Sequence, residues 1–359
     1  KYPTTIIDNS NKLPNSPNQN QYGTTYMQAL MMTKYGDITS SLAFQNITKP
    51  TISATQLLIE VHASSINPFD YKVLKGDFKA FKKITFPHGI GRDVSGVVTE
   101  IGDEVTNFKV GDTVLSRIGE QLVGTIAQYV ASEAKHTALK PDQITHQEAA
   151  SIPLAGLTAW QGLVTIANLK AGEKVLIHAG SGGVGTIAIQ LAKHLGAFVA
   201  TTTSTPNVDL VKKLGADQVI DYKKEDYLQQ VNSFGVVFDT MGGEHTLDAF
   251  KVIKEGGRVV SVNGEVDDIL ARELGLNFII RKILSLKAKK ITQAAAKKTA
   301  MYRMFMMSSN GPQLAELADL YMQNKIQAVI DRSYGFTESI EALKYLSKGR
   351  AKGKVVITH

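Results

Sequence analysis

Gly180, Gly182 and Gly185, set at the spacing G-x-G-x-x-G, are the residues of this 359-residue chain whose pattern most directly implies chemistry. They belong to the turn Gly180, Ser181, Gly182, Gly183, Val184, Gly185, between the apolar run Lys174 to Ala179 and the amphipathic run Thr186 to Leu195. Such a turn lets the backbone approach a pyrophosphate with no Cβ in the way, and it lets the helix pack close to the sheet. N–H groups at the helix start then hold the anion. A purely structural turn uses the same glycines. The strand before, the helix after and a second strand at Phe198 to Thr203 favour a dinucleotide cradle.

About 20 residues past such a fingerprint, NAD-selective sites carry an acid for the ribose hydroxyls. Here Thr201, Thr202, Thr203 and Ser204 stand in that place. A neutral hydroxyl does not repel a 2′-phosphate, so NADPH is the expected cofactor, with relaxed selectivity the outcome if the run is only a strand end. Gly242, in the turn Met241-Gly242-Gly243, and Asn263 each follow a strand at its C-terminal end, the side on which open α/β sheets bind ligands.

Composition removes other chemistries. With no cysteine there is no disulfide, thiol nucleophile or cysteine-ligated zinc, and the eight histidines are scattered as surface or packed residues would be. The length suits about two domains, and 43% hydrophobic with 20% charged residues suits an enzyme of mixed architecture. No apolar run reaches transmembrane length and no signal-peptide pattern is present, so the default location is cytoplasmic. The chain begins at Lys1, which leaves a removed leader open. A net charge of +7 is compatible with an anionic cofactor, nucleic acid or membrane surface.

The elements that must position these residues follow from the pattern. Residues 1–25 are polar and predict a flexible tail. Short β-type runs from Tyr26 onwards predict a small barrel-like domain. After a helical stretch, Gln147 to Ala167, strands alternate with helices, which predicts a parallel sheet covered on both faces. A last helix, Thr337 to Ser347, and a β run, Gly353 to Thr358, are expected to return to the first domain.

One stretch stands apart. From Ala271 to Arg303 there are nine basic residues against the single acid Glu273, an excess larger than that of the whole chain. Leu274, Leu276, Phe278, Ile279, Ile280, Ile283, Leu284 and Leu286 are interleaved with them. The ordinary expectation is a helix with its apolar side packed on the enzyme. The sharper one is a lid, or peripheral contact with an anionic membrane through residues 271–303. The methionines at 301, 304, 306 and 307 are candidates for an adaptable pocket.

Taken together, the motifs SINPFDYKVLKG at 65–76, GRDVSGVVTEIGDEVTNFKVGDTV at 91–114, AASIPLAGLTAWQGL at 149–163, the glycine turn and GRAKGKVV at 349–356 resemble the medium-chain dehydrogenase/reductase superfamily. Within it, the chain is similar to the zinc-independent quinone oxidoreductase (zeta-crystallin-like) group. The resemblance implies an α/β fold with a GroES-like β-barrel domain, residues 26–150 and 313–359, and a Rossmann doubly wound parallel-sheet domain, residues 151–312, with a basic helical insertion at 265–303. It implies a cleft between the domains and a homodimer. Asn67, Asp70 and Lys72 are the matched catalytic candidates, although Asn67, Pro68 and Asp70 also make an ordinary helix start. Thr158 is placed against the nicotinamide, Ser204 and Tyr222 at the phosphate, and Lys354 at the pyrophosphate. Asn207 stands where many relatives carry a lysine, and Gly91-Arg92-Asp93 stands in place of the Gly-His-Glu of zinc alcohol dehydrogenases.

The implied reaction is zinc-independent hydride transfer from NADPH to a small lipophilic quinone or α,β-unsaturated carbonyl acceptor. No specific nucleic acid partner is expected. The alternative from another class is a non-catalytic protein that keeps the cofactor fold and uses its basic segment on RNA or an anionic membrane.

Overall fold

Phe234–Asp239 is buried at every position, as a parallel strand covered on both faces must be. It lies inside a six-stranded sheet whose order is Gln218–Asp221, Phe198–Thr203, Lys174–Ile177, Phe234–Asp239, Ile253–Ser261, Met301–Met304. Every pairing is parallel. The strand order reverses between Lys174–Ile177 and Phe234–Asp239, so the glycine turn leaves the sheet at its topological switch point. The computed structural model describes residues 25–79, 83–119 and 123–359, so the tail expected at 1–25 falls almost wholly outside the described residues.

The sheet of the first domain has seven strands and is built on Gln56–Ile66, which pairs antiparallel with Asp93–Ile101, Tyr129–Glu133 and the C-terminal strand Lys354–Thr358. Ile330–Gly335 adds to the far side of Lys354–Thr358 in parallel. The last strands of the chain thus join the first sheet. A smaller sheet, Leu42–Thr48, Tyr26–Met32 and His88–Gly89, sits beside it. The two halves share one apolar core, in which Leu115, Ala138 and Ile144 meet Ile152, Leu157, Phe238, Leu314 and Leu317.

Met301 and Met304 lie in the last strand of the parallel sheet, and Met307 packs against the main core, as filler methionines do. The structure revises two expectations about the basic segment. The segment 265–303 is not wholly an insertion, because its end supplies that strand. Its remainder forms three short helices, Asp268–Glu273, Phe278–Lys287 and Lys289–Lys297. The apolar side of Phe278–Lys287 does not pack on the enzyme, since none of its residues is buried.

Helix Pro153–Trp160 continues into a π-helical segment, Gln161–Ile166. There Gly162 lies against Phe238, whose ring carbon Cε2 is 2.4 Å from where a Cβ would stand. Phe238 is fully buried on a central strand and has no room to retreat. Gly162→Ala is therefore expected to lower stability by about 1–3 kcal/mol, read as a lower urea midpoint; an unchanged midpoint would show that the core yields at this contact.

Candidate active site

Helix Gly183–His194 starts at Gly182 with no capping side chain, so its first N–H groups are left for a ligand. A Cβ on Gly180 would stand 2.1 Å from Thr201 Oγ1, and one on Gly185 would stand 2.4 Å from the Ala179 carbonyl, so both positions demand glycine. The nearest atom to a Cβ on Gly182 is 3.4 Å away, which leaves that side open to approach. Val184 packs on the main core and orients the helix.

Ser181 and Ser204 meet at the edge of this turn. Asn207 Nδ2 donates to both hydroxyl oxygens at 3.1 Å, and Thr203 Oγ1 donates to Ser181 Oγ at 3.0 Å. Asn207 Oδ1 is buried without a hydrogen-bond partner among the described residues. Tyr222 lies beyond, 53% exposed, with its N–H on the Thr203 carbonyl and the Lys223 ammonium 5.3 Å from its ring centre. This edge thus carries hydroxyls, an amide and a nearby lysine, and the neighbouring Asp221 carboxylate is engaged by Thr205 Oγ1 at 2.6 Å and the Lys223 N–H at 3.0 Å.

Opposite the turn stands a buried polar cluster from the first sheet. The Gly353 N–H donates to the Ser181 carbonyl at 2.8 Å, and the Lys354 stem runs past Gly183. Its ammonium donates to Asn67 Oδ1 and lies 3.4 Å from Asp93 Oδ2. Burial lowers the Lys354 pKa, and Asp93 pulls it back up. Asp93 Oδ2 also accepts from Ser65 Oγ at 3.0 Å and Asn67 Nδ2 at 2.8 Å, while Oδ1 accepts the Leu154 N–H at 2.9 Å. Leu154 lies in the first turn of helix Pro153–Trp160, which carries Thr158, itself buried and donating to the Leu154 carbonyl.

Asp70 accepts the Asn67 N–H at 2.7 Å, the half of a capping box that runs from N3 to the N-cap. The Asn67 side chain is instead spent on Asp93 and Lys354. Burial pushes the Asp70 carboxyl up to about 6, against the lowering pull of the Asn67 N–H and of Arg92. One turn along, Lys72 Nζ reaches Asn263 Oδ1 at 3.3 Å, and Asn263 Nδ2 donates to the Met241 carbonyl. Gly242 and Met241 donate their N–H groups to Asp239 Oδ1.

Three features were not singled out from sequence. Arg92 is buried, with Nη1 on the Gly91 carbonyl at 2.9 Å and Nη2 on His88 Nε2 at 2.9 Å. Arg117 donates to Ser309 Oγ across the domains. Burial lowers both guanidinium pKa values, Asp70 pulls that of Arg92 back up and Asp93 and Asp70 that of Arg117, and each keeps a buried Nε without an acceptor among the described residues. His178 Nδ1 pairs with Asp239 at 3.0 Å deep in the sheet. Burial raises the Asp239 carboxyl, but hydrogen bonds from His178, Thr246 and Gly242 hold it well below the usual range. The run Gly91-Arg92-Asp93, standing where zinc alcohol dehydrogenases carry Gly-His-Glu, was the one available signal for Arg92. Nothing local marked Arg117 or the His178–Asp239 pair, whose members come from separate strands.

The donor set does not fit zinc. Where a metal would need thiol and imidazole ligands there are Ser65, Asn67 and Asp93, with Ser65 and Asn67 donating to Asp93 and the Lys354 ammonium engaging Asn67 and Asp93. A concavity of about 800 Å3 lined by Gln190, Lys193, Leu210 and Lys325 lies at the C-terminal half of the glycine-turn helix and holds none of these groups.

Comparison with known proteins agrees with this geometry. Residues 53–142 match the alcohol dehydrogenase GroES-like domain and residues 214–357 match a domain described as zinc-binding dehydrogenase. The chain is 37% identical over 342 residues to 2-methylene-furan-3-one reductase of Solanum lycopersicum, covering 92% of this chain and 79% of that protein. It is 36% identical over 341 residues to the chloroplastic NADPH-dependent alkenal/one oxidoreductase of Arabidopsis thaliana, with the same coverage of 92% and 79%. The quinone oxidoreductase from Coxiella burnetii superposes with a TM-score of 0.81 at 32% identity, covering 93% of this chain and 99% of that one. The chain therefore belongs to the medium-chain dehydrogenase/reductase superfamily, in its zinc-independent quinone oxidoreductase-like family, and is an NAD(P)H-dependent oxidoreductase of the quinone and alkenal reductase type.

Proposed function

We propose that this enzyme uses NADPH to reduce a small lipophilic quinone or α,β-unsaturated carbonyl compound. The observation that carries the cofactor reading is the neutral set Ser181, Ser204 and Asn207 at the end of the second strand, with no carboxylate among them. Hydroxyls and an amide accept a 2′-phosphate as a hydrogen-bonding partner, and Lys223 supplies the positive charge that the sequence position of Asn207 lacks. Gly180 to Gly185 hold the pyrophosphate, and Thr158, Gly242 and Asn263 line the nicotinamide end. Lys354 acts here through Asn67 and Asp93, fixing the wall that faces the turn. The relative from Arabidopsis is chloroplastic by name, so relatedness lends no support to the cytoplasmic default.

When bound, the cofactor supplies the hydride, delivered to the β-carbon of an enone or to a quinone. As the hydride adds, the acceptor's C=C pair shifts to form the bond to the carbonyl carbon and the carbonyl pair moves onto oxygen, and one proton from water then adds at that oxygen or at the α-carbon. What the protein contributes is position and charge. Arg92, Arg117 and Lys354 outnumber Asp93 in the cleft wall, and that surplus suits an oxygen gaining negative charge. Asp70 adjusts the surplus, being neutral below about pH 6 and negative above it. No separate observation favours a non-catalytic role.

Two outcomes test this reading. Ser204→Asp puts a carboxylate beside the 2′-phosphate, and kcat/KM for NADPH is expected to fall at least about tenfold relative to NADH; an unchanged ratio would remove Ser204 from the nucleotide site. Because protonated Asp70 leaves the cleft more positive, kcat/KM for the acceptor is expected to fall as pH rises through about 6. In Asp70→Asn that limb should vanish, and its persistence would assign the limb to another group.

A further inference from the structure

We propose that helix Phe278–Lys287, with the lysines that follow it, is a docking surface for an anionic lipid bilayer. The helix is amphipathic in the reverse of the usual sense. Its half-buried positions are Arg281 and Leu284, and Phe278, Ile279, Ile283 and Leu286 are 72%, 70%, 51% and 66% exposed. Arg281 is turned back onto the protein, where it pairs with Asp268 at 2.6 Å. At 3.6 residues per turn, Ile279, Ile283 and Leu286 fall within an arc of roughly 60°, and Lys282 and Lys287 stand roughly 40° beyond its two edges. This is the arrangement of a helix lying in a bilayer interface, with its apolar stripe among the acyl chains and lysines reaching back to the headgroups.

Charge selects the lipid. From Leu274 to Lys298 there is no acidic residue. Lys282, Lys287, Lys289, Lys290, Lys297 and Lys298 form no ion pair among the described residues, whereas Arg272, Arg281 and Arg303 are each paired with Asp267, Asp268 or Glu273. The paired arginines tie the segment to the enzyme and leave the lysines to an outside partner. A second copy of the chain meets this requirement poorly. A two-fold interface over this face sets the same lysines against themselves. An anionic headgroup layer satisfies lysines and apolar stripe together. Ile291 and Ala295 of the next helix are buried and fasten the unit to the sheet, so the exposed helix is presented on a fixed base.

The segment leaves the sheet after Ser261 and passes through Asn263, the residue that meets Lys72 across the cleft. The docking surface is thus carried on the same strand end as one wall of the candidate site. The inference does not depend on which acceptor is reduced, since its readout is binding.

The test is co-sedimentation of the full chain with vesicles of phosphatidylcholine alone and of phosphatidylcholine containing 30% phosphatidylserine, at low and high salt. Binding is expected only to the phosphatidylserine vesicles, weakening as salt rises. Two variants separate the contributions: Lys282→Gln, Lys287→Gln, Lys289→Gln and Lys290→Gln combined, and Ile279→Ser with Leu286→Ser. The first is expected to lower the partition coefficient about 1,000-fold, the second about tenfold or more. Turnover of a water-soluble acceptor should be unchanged in both, which also reports that they fold. No binding by the parent chain, equal binding to both vesicle types, or a concentration-dependent dimer that both variants abolish would each overturn the proposal.

Discussion

The carboxylate of Asp93 is the constraint on which the rest of the molecule hangs. It is fully buried, and its acceptor positions are met by Ser65 and Asn67 from one strand end, Leu154 from a helix start and Lys354 from the C-terminal strand. A buried charge of this kind is tolerated only when every lone pair is used. The geometry therefore requires four distant pieces of chain to arrive together. When they do, Gly353 is brought to the Ser181 carbonyl and the first sheet closes against the glycine turn. The cleft exists because one charge needs company from both of its walls.

The same economy explains why the cleft can work without a metal. Zinc would polarise an acceptor oxygen by concentrating charge at one point. Here the positive charge is spread over Arg92, Arg117 and Lys354, each partly held by carbonyls, hydroxyls or carboxylates. Distributed charge of this sort suits acceptors that already delocalise the incoming electrons, because no single strong Lewis acid is needed. It also makes the field adjustable, since Asp70 sits inside the group with its pKa raised by burial. Among the described residues the Nε atoms of Arg92 and Arg117 meet no acceptor, which leaves one donor unused at each.

What the sequence displayed was local. The spacing of Gly180, Gly182 and Gly185, and the hydroxyls at 201–204, lie within 25 residues and describe one turn and one strand end, so their reading needed no tertiary contacts. The partnership of Lys354 with Asn67 spans 287 positions and that of Arg117 with Ser309 spans 192, and no periodicity reports such pairs. Sequence therefore suggested a basic residue at 354 but not that its ammonium turns to Asn67 and Asp93. It noticed that Asn207 replaced a lysine but not that the amide holds Ser181 and Ser204 together.

The basic segment shows a different limit. Apolar periodicity at helical spacing establishes that one face differs from the other, yet it does not state which face points inward, because that depends on what the rest of the fold offers as a partner. For Phe278–Lys287 the neighbouring elements offer one acid, Asp268, to Arg281 and little else. The helix consequently turns Arg281 and Leu284 to the protein and leaves Ile279, Ile283 and its lysines outside. An apolar stripe left in water costs free energy in proportion to its area. Its retention next to six lysines that form no ion pair among the described residues is then best understood from the surface that both groups would bind, which is a property of the folded exterior and not of the chain read residue by residue.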